Sequence, residues 1–591
     1  MSSTQLLEEA REHIAVIQAS LQKTGEKLEE QYKKMGQQYV KAEGAEKLTL
    51  HTLLQYTKKR QHELSALHPS PYFSRCNFNS EHKFSQVYIG KFAYSEESIV
   101  SWISPVATLR FSHPGTAEYI MPNREKRKVE LTRKDEYLIK DGKVMFFATE
   151  TSNAPRTLVY QENFSNRKTG FILPEIVSQM EEAQDRVIRS SWKGPMVISG
   201  PAGSGKTTLA LHRVAYLMQV PEISEHFPGH RIKVFVQDNG TKSYFSSLLP
   251  ELGIENVAIV TFTDWATDIL GIDTKGVEDK RFDDITEDVI RHQKLRILRS
   301  VPDFPNDKPA DWLYKVYKKH VTSHVDLVLD RLNQKVYDEV DLTIMLTHYK
   351  KQNKVLDETR EFLVQQRNSF EVKRKKGKFQ AVYNLCIIDE FQNYLPEQLQ
   401  LIKGCVSEDT NAAVYVGDLR QQTKLGTLQS WNDFNEQIPT ARHITLEKVY
   451  RNTKEILKFI QSLGYIVEIP PSLEEGKTVE VMSDTKETEE FINSFVEKNT
   501  DRLIGVLAKD ESSLEPYQAL KKCGWVKVMP VREAQGVEFD TVFLVGNTEN
   551  TWSTANYPVE LRKEKEKINR DLLYVALTRA MKELCVVGDI S

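Results

Sequence analysis

The chain has 591 residues, of which 40% are hydrophobic and 28% charged, and its formal net charge at pH 7 is −3. This length exceeds what one hydrophobic core organises, so we expect several domains. No apolar run is long enough to cross a bilayer, and the N-terminus is acidic and helical, unlike a secretory signal. Five cysteines without metal-ligand spacing predict reduced thiols. These features predict a cytoplasmic protein without membrane contact, and the chain lacks the basic surplus of a protein that lives on bare nucleic acid.

Residues 1–70 are predicted to form a helical hairpin or coiled-coil arm. Apolar residues recur every three or four positions between dense opposite charges. A break near KAEGAEKL, residues 41–48, divides the pattern into two helices that fold back on each other. From the pattern alone, the arm could stabilise the segment that follows it or form a dimer.

Residues 71–170 are predicted to form a small, mostly antiparallel β module. The helical pattern gives way to short β-type runs, which are FSQVYIGKF, ESIVSWISP, VATLRFSH and EYLIKDGKVMFFA. From residue 171 onward, β-type apolar runs alternate with helical stretches, which indicates a parallel α/β core. Inside that core, the basic run EVKRKKGKFQ, residues 371–380, is predicted to be a solvated loop, with a nucleic-acid contact as the alternative.

A phosphate-binding loop is predicted at residues 200–207, which read GPAGSGKT. The apolar run MVIS precedes the loop and an amphipathic helix follows it, so backbone N–H groups and the helix dipole would face an anion. Lys206 would reach the β- and γ-phosphates of ATP, and the Thr207 hydroxyl would bind Mg²⁺. The candidate phosphate-binding residues are Gly200, Gly203, Ser204, Gly205, Lys206, Thr207 and Thr208.

A pair of acids is predicted at the carboxyl end of a second buried strand, in the run NLCIIDEFQ. Ligands of open α/β sheets bind at that edge. Asp389 would hold Mg²⁺ through water, and Glu390 would orient and deprotonate the attacking water. The loop and the acids together predict an ATPase that converts ATP and water into ADP and phosphate.

With four further motifs in the same order, the chain resembles the superfamily 1 helicases of the UvrD/Rep kind. These motifs are VGDLRQ, KVYRNTKEI, REAQGVEFDTVFLV and LLYVALTRA. The resemblance implies two RecA-like P-loop lobes, each a parallel sheet flanked by helices. The first lobe would span residues 171–265 and 381–440, with a helical insertion at 266–380, and the second would span 441–591.

The same resemblance implies a role for each motif residue. Gln184 would bind the adenine edge, Tyr450 would stack on the base, and Gly536 and Glu538 would contact the nucleotide backbone and ribose. Gln421 would couple the γ-phosphate to the nucleic-acid side, while Arg451 and Arg579 would contact the γ-phosphate from the second lobe. Thr261 and Phe262 would lie near the tracked strand.

The β module resembles the corresponding region of HelD-type proteins, and this resemblance extends over about residues 85–590. The matching residues are Tyr88, Ile89, Gly90, Trp102, Pro105, Pro114, Gly115, Tyr119, Asp141 and Gly142. The resemblance implies an arm that enters a channel of RNA polymerase and an ATP-driven motor that frees stalled polymerase from nucleic acid. The family's Asp-Trp-Arg-Ala-Pro is altered here to Ser-Trp-Ile-Ser-Pro at residues 101–105.

Three functions therefore remain open. The first is a HelD-like, Mg²⁺-dependent ATPase that binds RNA polymerase and recycles it. The second is a 3′-to-5′ DNA helicase or translocase in repair or defence, although the short distance between residues 451 and 536 leaves no room for the large insertion of unwinding enzymes. The third is an ATP-gated binding protein. Nucleic acid is an expected partner in the first two, and we expect a monomer.

Overall fold

The structure is a computed structural model. It describes residues 3–80, 83–121, 123, 125–161, 182–200, 204–254, 256–274, 283–300, 308–365, 372–446, 452–467, 469, 473–534, 537–548 and 550–590. Within these ranges it has a mixed α/β architecture with an N-terminal helical arm, a small, largely antiparallel sheet and two parallel sheets, which confirms the predicted fold class.

The N-terminal arm is a hairpin of two helices, α1 (Ser3–Lys41) and α2 (Gly44–Leu67), which divide where the sequence predicts. One half of α1 packs on the β module. Its Glu9 carboxylate pairs with Arg75 over 3.0 Å, and the Ser20 and Thr24 hydroxyls each lie 2.9 Å from Tyr94 Oη. The base of the arm is therefore part of the folded module.

The β module is a sheet of strands β1 to β7 in the order β3-β2-β1-β5-β6-β7, with β4 paired to β5. The strands are β1 (Ser74–Ser80), β2 (Lys83–Gly90), β3 (Ile99–Ser101), β4 (Gly115–Ile120), β5 (Lys126–Lys140), β6 (Lys143–Thr151) and β7 (Ala154–Gln161). All pairings are antiparallel except β2 with β3.

One predicted strand of this module is wrong. The run VATLRFSH lies largely in a 3₁₀ helix, Pro105–Phe111. Pro105 occupies its first turn, where a missing N–H costs nothing, and the Thr108 hydroxyl donates to the Pro105 carbonyl over 2.8 Å. These local contacts override the strand preference of the β-branched residues.

The first lobe is a parallel sheet in the order β10-β9-β13-β14-β8-β15. Its strands are β8 (Met196–Ser199), β9 (Ile232–Val236), β10 (Ala258–Thr261), β13 (Leu385–Asp389), β14 (Ala413–Val416) and β15 (His443–Thr445). Its helices are α3 (Glu182–Arg189), α4 (Lys206–Gln219), α5 (Pro221–Ser224), α6 (Asn239–Glu251), α7 (Phe262–Leu270) and α12 (Pro396–Lys403). Strand β15 lies beyond the predicted boundary at residue 440, because it completes the edge beside β8.

The insertion in the first lobe contains both helices and a β ribbon. Its helices are α8 (Asp284–Ser300), α9 (Pro309–His320), α10 (Val325–Asn333) and α11 (Glu339–Asn353). The two strands β11 (Asp357–Gln365) and β12 (Val372–Gln380) pair antiparallel over their whole length. The basic run at residues 371–380, predicted as a loop, therefore lies mostly in a strand.

The second lobe is a parallel sheet in the order β16-β20-β19-β17-β18. Its strands are β16 (Glu480–Met482), β17 (Ile504–Ala508), β18 (Val526–Pro530), β19 (Phe539–Asn547) and β20 (Ala580–Gly588), and its helices are α13 (Lys454–Ser462), α14 (Lys486–Lys498) and α15 (Val559–Thr578). A 3₁₀ helix, Glu511–Lys522, lies beside β18.

The β module and the first lobe share one continuous buried cluster. Trp102 and Leu109 of the module belong to it, together with Leu209 and Val214 of α4. Because the cluster removes both faces from water, the module is part of the lobe's core. All five cysteines are free thiols, and no helix among the described residues is both long and apolar enough to cross a membrane.

Candidate functional site: a nucleotide cleft between two lobes

A strand, a turn and a helix build the phosphate-binding end of the first lobe. Strand β8 ends at Ser199, and α4 begins at Lys206. Gly205 caps the helix with a left-handed backbone (φ 79°), and Gly200 has φ 149°. A side chain at Gly200 would overlap the Leu446 carbonyl oxygen, so glycine is needed there for close backbone approach.

Lys206 is a buried cation at the centre of the site. Only 7% of this residue is exposed, and burial lowers the pKa of its ammonium group. The carboxylates of Glu390, Asp418 and Asp389 oppose that effect, in this order of strength, and Arg579 adds to it. A buried ammonium group near carboxylates, on the first residue of a helix, suits a polyanionic phosphate ligand.

Thr207 and Asp389 form the oxygen pair expected of a Mg²⁺ site. The Thr207 hydroxyl donates to Asp389 Oδ1 over 2.8 Å. Burial, reinforced by the charge of Glu390, raises the pKa of Asp389. Hydroxyl and carboxylate oxygens are hard ligands, so this donor set fits Mg²⁺.

Glu390 stands at the end of β13 with a strained backbone. Its φ of 50° lies in the left-handed region, which is uncommon for a residue with a side chain. The Gln392 side-chain amide donates to Glu390 Oε2 over 2.6 Å. Strain of this kind persists only where the surroundings hold it, and it concentrates at functional sites.

Gln392 links the acid pair to the loop after β14. This side chain is fully buried; its Oε1 accepts the Asp418 N–H over 3.1 Å and its Nε2 donates to the Gln421 carbonyl over 3.4 Å. Gln421 Nε2 in turn donates to Asp418 Oδ2 over 3.3 Å. Glu390 and Gln421, predicted separately from their motifs, are therefore joined through one glutamine.

The loop after β14 also contacts the second lobe. Gln422 donates its backbone N–H to Asp571 Oδ2 over 3.1 Å, and its side-chain oxygen accepts from Lys567 Nζ over 2.6 Å. Both partners lie on α15, and Glu564 of the same helix accepts the Gly426 N–H over 2.6 Å. Helix α15 therefore docks directly on the loop that holds Gln421.

Arg579 follows the last residue of α15. It is buried, and its Nε and Nη1 donate to the carbonyls of Val575 and Val537 over 3.1 and 3.3 Å. Its charge acts on the pKa of Lys206, so the guanidinium group lies within electrostatic reach of the P-loop. An arginine from one lobe thus approaches the phosphate site of the other.

Helix α3 carries Gln184, which the sequence predicts to bind the adenine edge. Arg213 of α4 donates to the carbonyls of Val187, Ile188, Ser190 and Ser191, the last groups of α3 and its C-terminal turn. These bonds satisfy carbonyls that the helix leaves unpaired.

The β module holds the same helix from its other side. Arg189 of α3 donates to the carbonyls of Trp102 and Ile103 over 2.6 and 2.8 Å and pairs with Asp185 over 2.7 Å. The Trp102 ring also meets the His212 ring of α4 edge to face, with centroids 5.4 Å apart. The module therefore contacts both α3 and α4.

Some predicted site residues lie outside the described residues, and others lie at the edges of the cleft. Gly203, Tyr450, Arg451 and Gly536 fall outside the described ranges. Among the others, Ser204 is buried and Thr208 is partly exposed in the first turn of α4, while Glu538 is partly exposed immediately before β19. Thr261 caps α7 and Phe262 begins it, at the carboxyl edge of β10.

Sequence motifs did not indicate Gln392, Asp418 or Asp571 as site residues. Gln392 and Asp418 lie inside the quoted motifs NLCIIDEFQ and VGDLRQ, two residues after Glu390 and three before Gln421, so proximity in sequence could have suggested them. Asp571 directly precedes the motif LLYVALTRA, but its contact with Gln422 could not have been found in this way, because the two residues are 149 positions apart and lie in different lobes.

Two family models match the chain. Residues 289–588 match the UvrD-like helicase C-terminal domain, and residues 7–157 match the N-terminal domain of DNA helicase IV HelD. The first match covers most of the insertion, the strands of the first lobe from β13 onward and the second lobe, and the second match covers the arm with most of its β module.

Similar proteins include ATP-dependent DNA helicase PcrA from Staphylococcus epidermidis (strain ATCC 35984), 26% identical over 318 residues, and PcrA from Staphylococcus aureus (strain Mu50), 24% identical over 318 residues. Each alignment covers 48% of this chain and 39% of the relative, so the chain matches well under half the length of these helicases. Among solved structures, the C-terminal domain of a possible DNA helicase from Lactobacillus plantarum WCFS1 aligns with 22% identity and a TM-score of 0.17, covering 24% of this chain and 88% of that one.

Proposed function

Because the chain belongs to the UvrD-like helicase family, we propose that it is a Mg²⁺-dependent ATPase whose two lobes close on ATP and act on nucleic acid. The observation that carries this proposal is the arrangement around Lys206. A buried ammonium group faces the acid pair of β13 and lies within electrostatic reach of an arginine from the other lobe. Such a site supports hydrolysis coupled to lobe closure.

Each residue has a chemical role in this proposal. Lys206 and the N-terminus of α4 bind the phosphates, and Thr207 with Asp389 would hold Mg²⁺, which would offset phosphate charge when bound. Glu390 accepts a proton from the attacking water, since its carboxylate stands beside Asp389 at the strand end. Arg579 stabilises charge that develops on the leaving phosphate. Arg451 is proposed as a second such group, from its motif alone.

Two substitutions test the hydrolytic site. Lys206→Ala should abolish tight binding of a fluorescent ATP analogue, whereas Glu390→Gln should preserve binding and lower turnover by about 10²- to 10⁴-fold. The exposed Glu408 of the same lobe provides a matched control, and Glu408→Gln should behave as wild type. Wild-type turnover by Glu390→Gln would refute the assignment of Glu390 as the base.

For the partner, we propose RNA polymerase, which the motor would release or recycle from nucleic acid in the cytoplasm. The match of residues 7–157 to a HelD N-terminal domain supports this proposal. The turn of the arm supports it further, because Val40 and Leu48 are 79% and 67% exposed there. Apolar side chains exposed at the tip of a charged hairpin suit a protein contact.

Capture from a bacterial lysate tests this partner. The Glu390→Gln protein, with ATP and nuclease present, should retain polymerase subunits, and adding Val40→Asp and Leu48→Asp should release them. Val16→Asp is the matched control, since Val16 is exposed on α1, like Val40, but lies in the part of the helix that packs on the module. Retention of nucleic acid alone, lost on nuclease treatment, would refute the polymerase proposal.

Retention of nucleic acid alone would favour a 3′-to-5′ translocase instead. The alignment with ATP-dependent DNA helicases over 48% of the chain is the observation that supports this alternative. Its signature would be ATP turnover that rises with single-stranded DNA in the absence of polymerase.

A further inference from the structure

A two-stranded ribbon, β11 with β12, extends from the insertion of the first lobe. The ladder runs from the Asp357–Gln380 pair to the Gln365–Val372 pair, nine residues in each strand, which corresponds to about 30 Å. Within the described part of the chain, neither strand pairs with a third. An isolated two-stranded ribbon is marginally stable in water, so this one depends on its anchorage.

The base of the ribbon is fixed to the lobe by buried polar contacts. Glu358 is buried; it pairs with Lys233 of β9 over 2.8 Å and accepts from Tyr383 Oη over 2.5 Å. The Thr359 N–H donates to Asp268 Oδ2 of α7 over 2.9 Å. The ribbon is therefore mounted rigidly on the motor at one end.

The ribbon is basic in a chain that is acidic overall. Residues 357–380 contain seven basic and four acidic residues, a net charge of +3 against −3 for the whole chain. The acidic charge is partly neutralised at the base, where Glu358 is paired. Further out, Lys375 and Lys376 are exposed. Lys376 pairs with Glu361 over 3.7 Å, and because both side chains are more than half exposed, that pair is weak.

Positive charge occurs on both faces of β12. Successive residues of a strand point to opposite faces, so Lys375 and Lys376 lie on opposite sides of the ribbon. Binding to an acidic protein surface would use the positive charge on one face of the ribbon and leave the charge on the other face in water. The major groove of duplex DNA, about 12 Å wide, admits a two-stranded ribbon and presents a phosphate backbone to each side of it.

We propose that the β11–β12 ribbon binds duplex nucleic acid by entering a groove, with Lys375 and Lys376 facing opposite phosphate backbones. The contact is to phosphates and carries no sequence preference. This contact holds the duplex that flanks the strand or complex on which the motor acts.

This binding site is separate from the ATP site, so the inference goes beyond the proposed hydrolysis. Lys233, which anchors the ribbon, lies near the amino end of β9 and pairs in register with Cys386 of β13. Asp389 lies three residues further along β13, about 10 Å away at the opposite edge of the sheet. Duplex binding can therefore be measured without nucleotide, and it can fail or succeed independently of ATP turnover.

The test is equilibrium binding of the full chain, without ATP, to a labelled duplex of about 20 base pairs and to the same single strand, from about 50 to 200 mM salt. Lys375→Gln with Lys376→Gln should weaken duplex binding by about tenfold or more and reduce the slope of log K against log salt by about 1.8. Single-strand binding should change little. Lys521→Gln with Lys522→Gln is the matched control, since those neighbouring lysines are also exposed.

Several outcomes would overturn the proposal. They are an unchanged duplex affinity and salt slope, equal losses for duplex and single strand, or an equal loss in the control variant. Loss of polymerase capture with intact duplex binding would make the ribbon a protein contact instead. A thermal unfolding curve equal to wild type establishes that the double variant is folded, and Lys375→Glu with Lys376→Glu should weaken duplex binding further.

Discussion

Gln392 holds Glu390 in place: the Gln392 side-chain Nε2 donates to Glu390 Oε2 over 2.6 Å, and the Gln392 side-chain Oε1 accepts the Asp418 N–H over 3.1 Å. The carboxylate proposed as general base is thus tied to the loop that carries Gln421. Since that loop also contacts α15 through Gln422, the orientation of the base depends on how the lobes meet.

Gln392→Ala should therefore lower kcat by about 10- to 100-fold with little change in the KM for ATP, because the side chain orients the base without being placed at the nucleotide. Steady-state ATP turnover measures both constants. Gln398→Ala is a matched control, since Gln398 is also a buried glutamine that bonds a backbone N–H, at Leu395. Equal losses of kcat in the two variants would indicate general destabilisation and refute the positioning role.

Asp571 makes the contact between the lobes sensitive to pH. Burial raises the pKa of its carboxyl to about 7, and the charge of Asp418 acts in the same direction, while the hydrogen bond from the Gln422 N–H and the charges of Lys567 and Arg570 oppose it. In the unfolded chain the group titrates near its ordinary value of about 3.9. The folded protein therefore binds more protons between these values, and this contribution to stability, full below about pH 4, is lost as pH rises through about 7.

Asp571→Asn should remove that dependence. We expect the variant to have the higher Tm at pH 8, where wild type must keep a buried charge, and the difference to shrink toward pH 5. Asp501→Asn, at an exposed aspartate of the same lobe, should show no such trend. A Tm difference that is constant from pH 5 to 8 would contradict the assignment.

Arg189 should affect nucleotide affinity through α3. Arg189→Ala removes the bonds to the Trp102 and Ile103 carbonyls, so the helix that carries Gln184 loses its fixed position. The expected result is a several-fold higher KM for ATP with kcat nearly unchanged, since losing these hydrogen bonds costs about 1 kcal/mol. Arg186→Ala, at an exposed position of the same helix, should have a smaller effect. A drop in kcat without a change in KM would contradict this role.

Gly200→Ala should damage the phosphate loop directly. Its φ of 149° disfavours a side chain, and an added Cβ would overlap the Leu446 carbonyl oxygen, which is backbone and cannot rotate away. We expect loss of measurable ATP-analogue binding and a lower Tm. Gly524→Ala, where a Cβ meets nothing within 4 Å, is the control and should bind normally. Normal binding by Gly200→Ala would show that the loop can shift.

The strands and the helix around the predicted phosphate site could be predicted from the sequence because their rules are local. The strand MVIS, the helix beginning near Lys206 and the strand that ends at Asp389 each follow from an apolar run beside glycine or acidic residues, and the structure has these bounds. Hydrophobic period and turn chemistry decide such elements within about ten residues.

Contacts between distant segments were beyond sequence reasoning. The basic run at 371–380 was predicted as a loop because its charges suggest solvation, yet the chain pairs it with β11 and anchors it through the buried Glu358. The contact of Gln422 with Asp571 likewise depends on the docking of α15, which no spacing in the sequence indicates.

The arm extends well beyond the module that holds its base. Helix α1 is about 58 Å long, and its polar contacts with the module lie between Glu9 and Thr24, so roughly 26 Å extends beyond them. Tyr94, which accepts or donates the contacts of Ser20 and Thr24, is bonded through its backbone to Ile99, and Ile99 lies three residues before Trp102. The far end of the arm is therefore connected, through Tyr94 and β3, to the segment around Trp102 that contacts both α3 and α4.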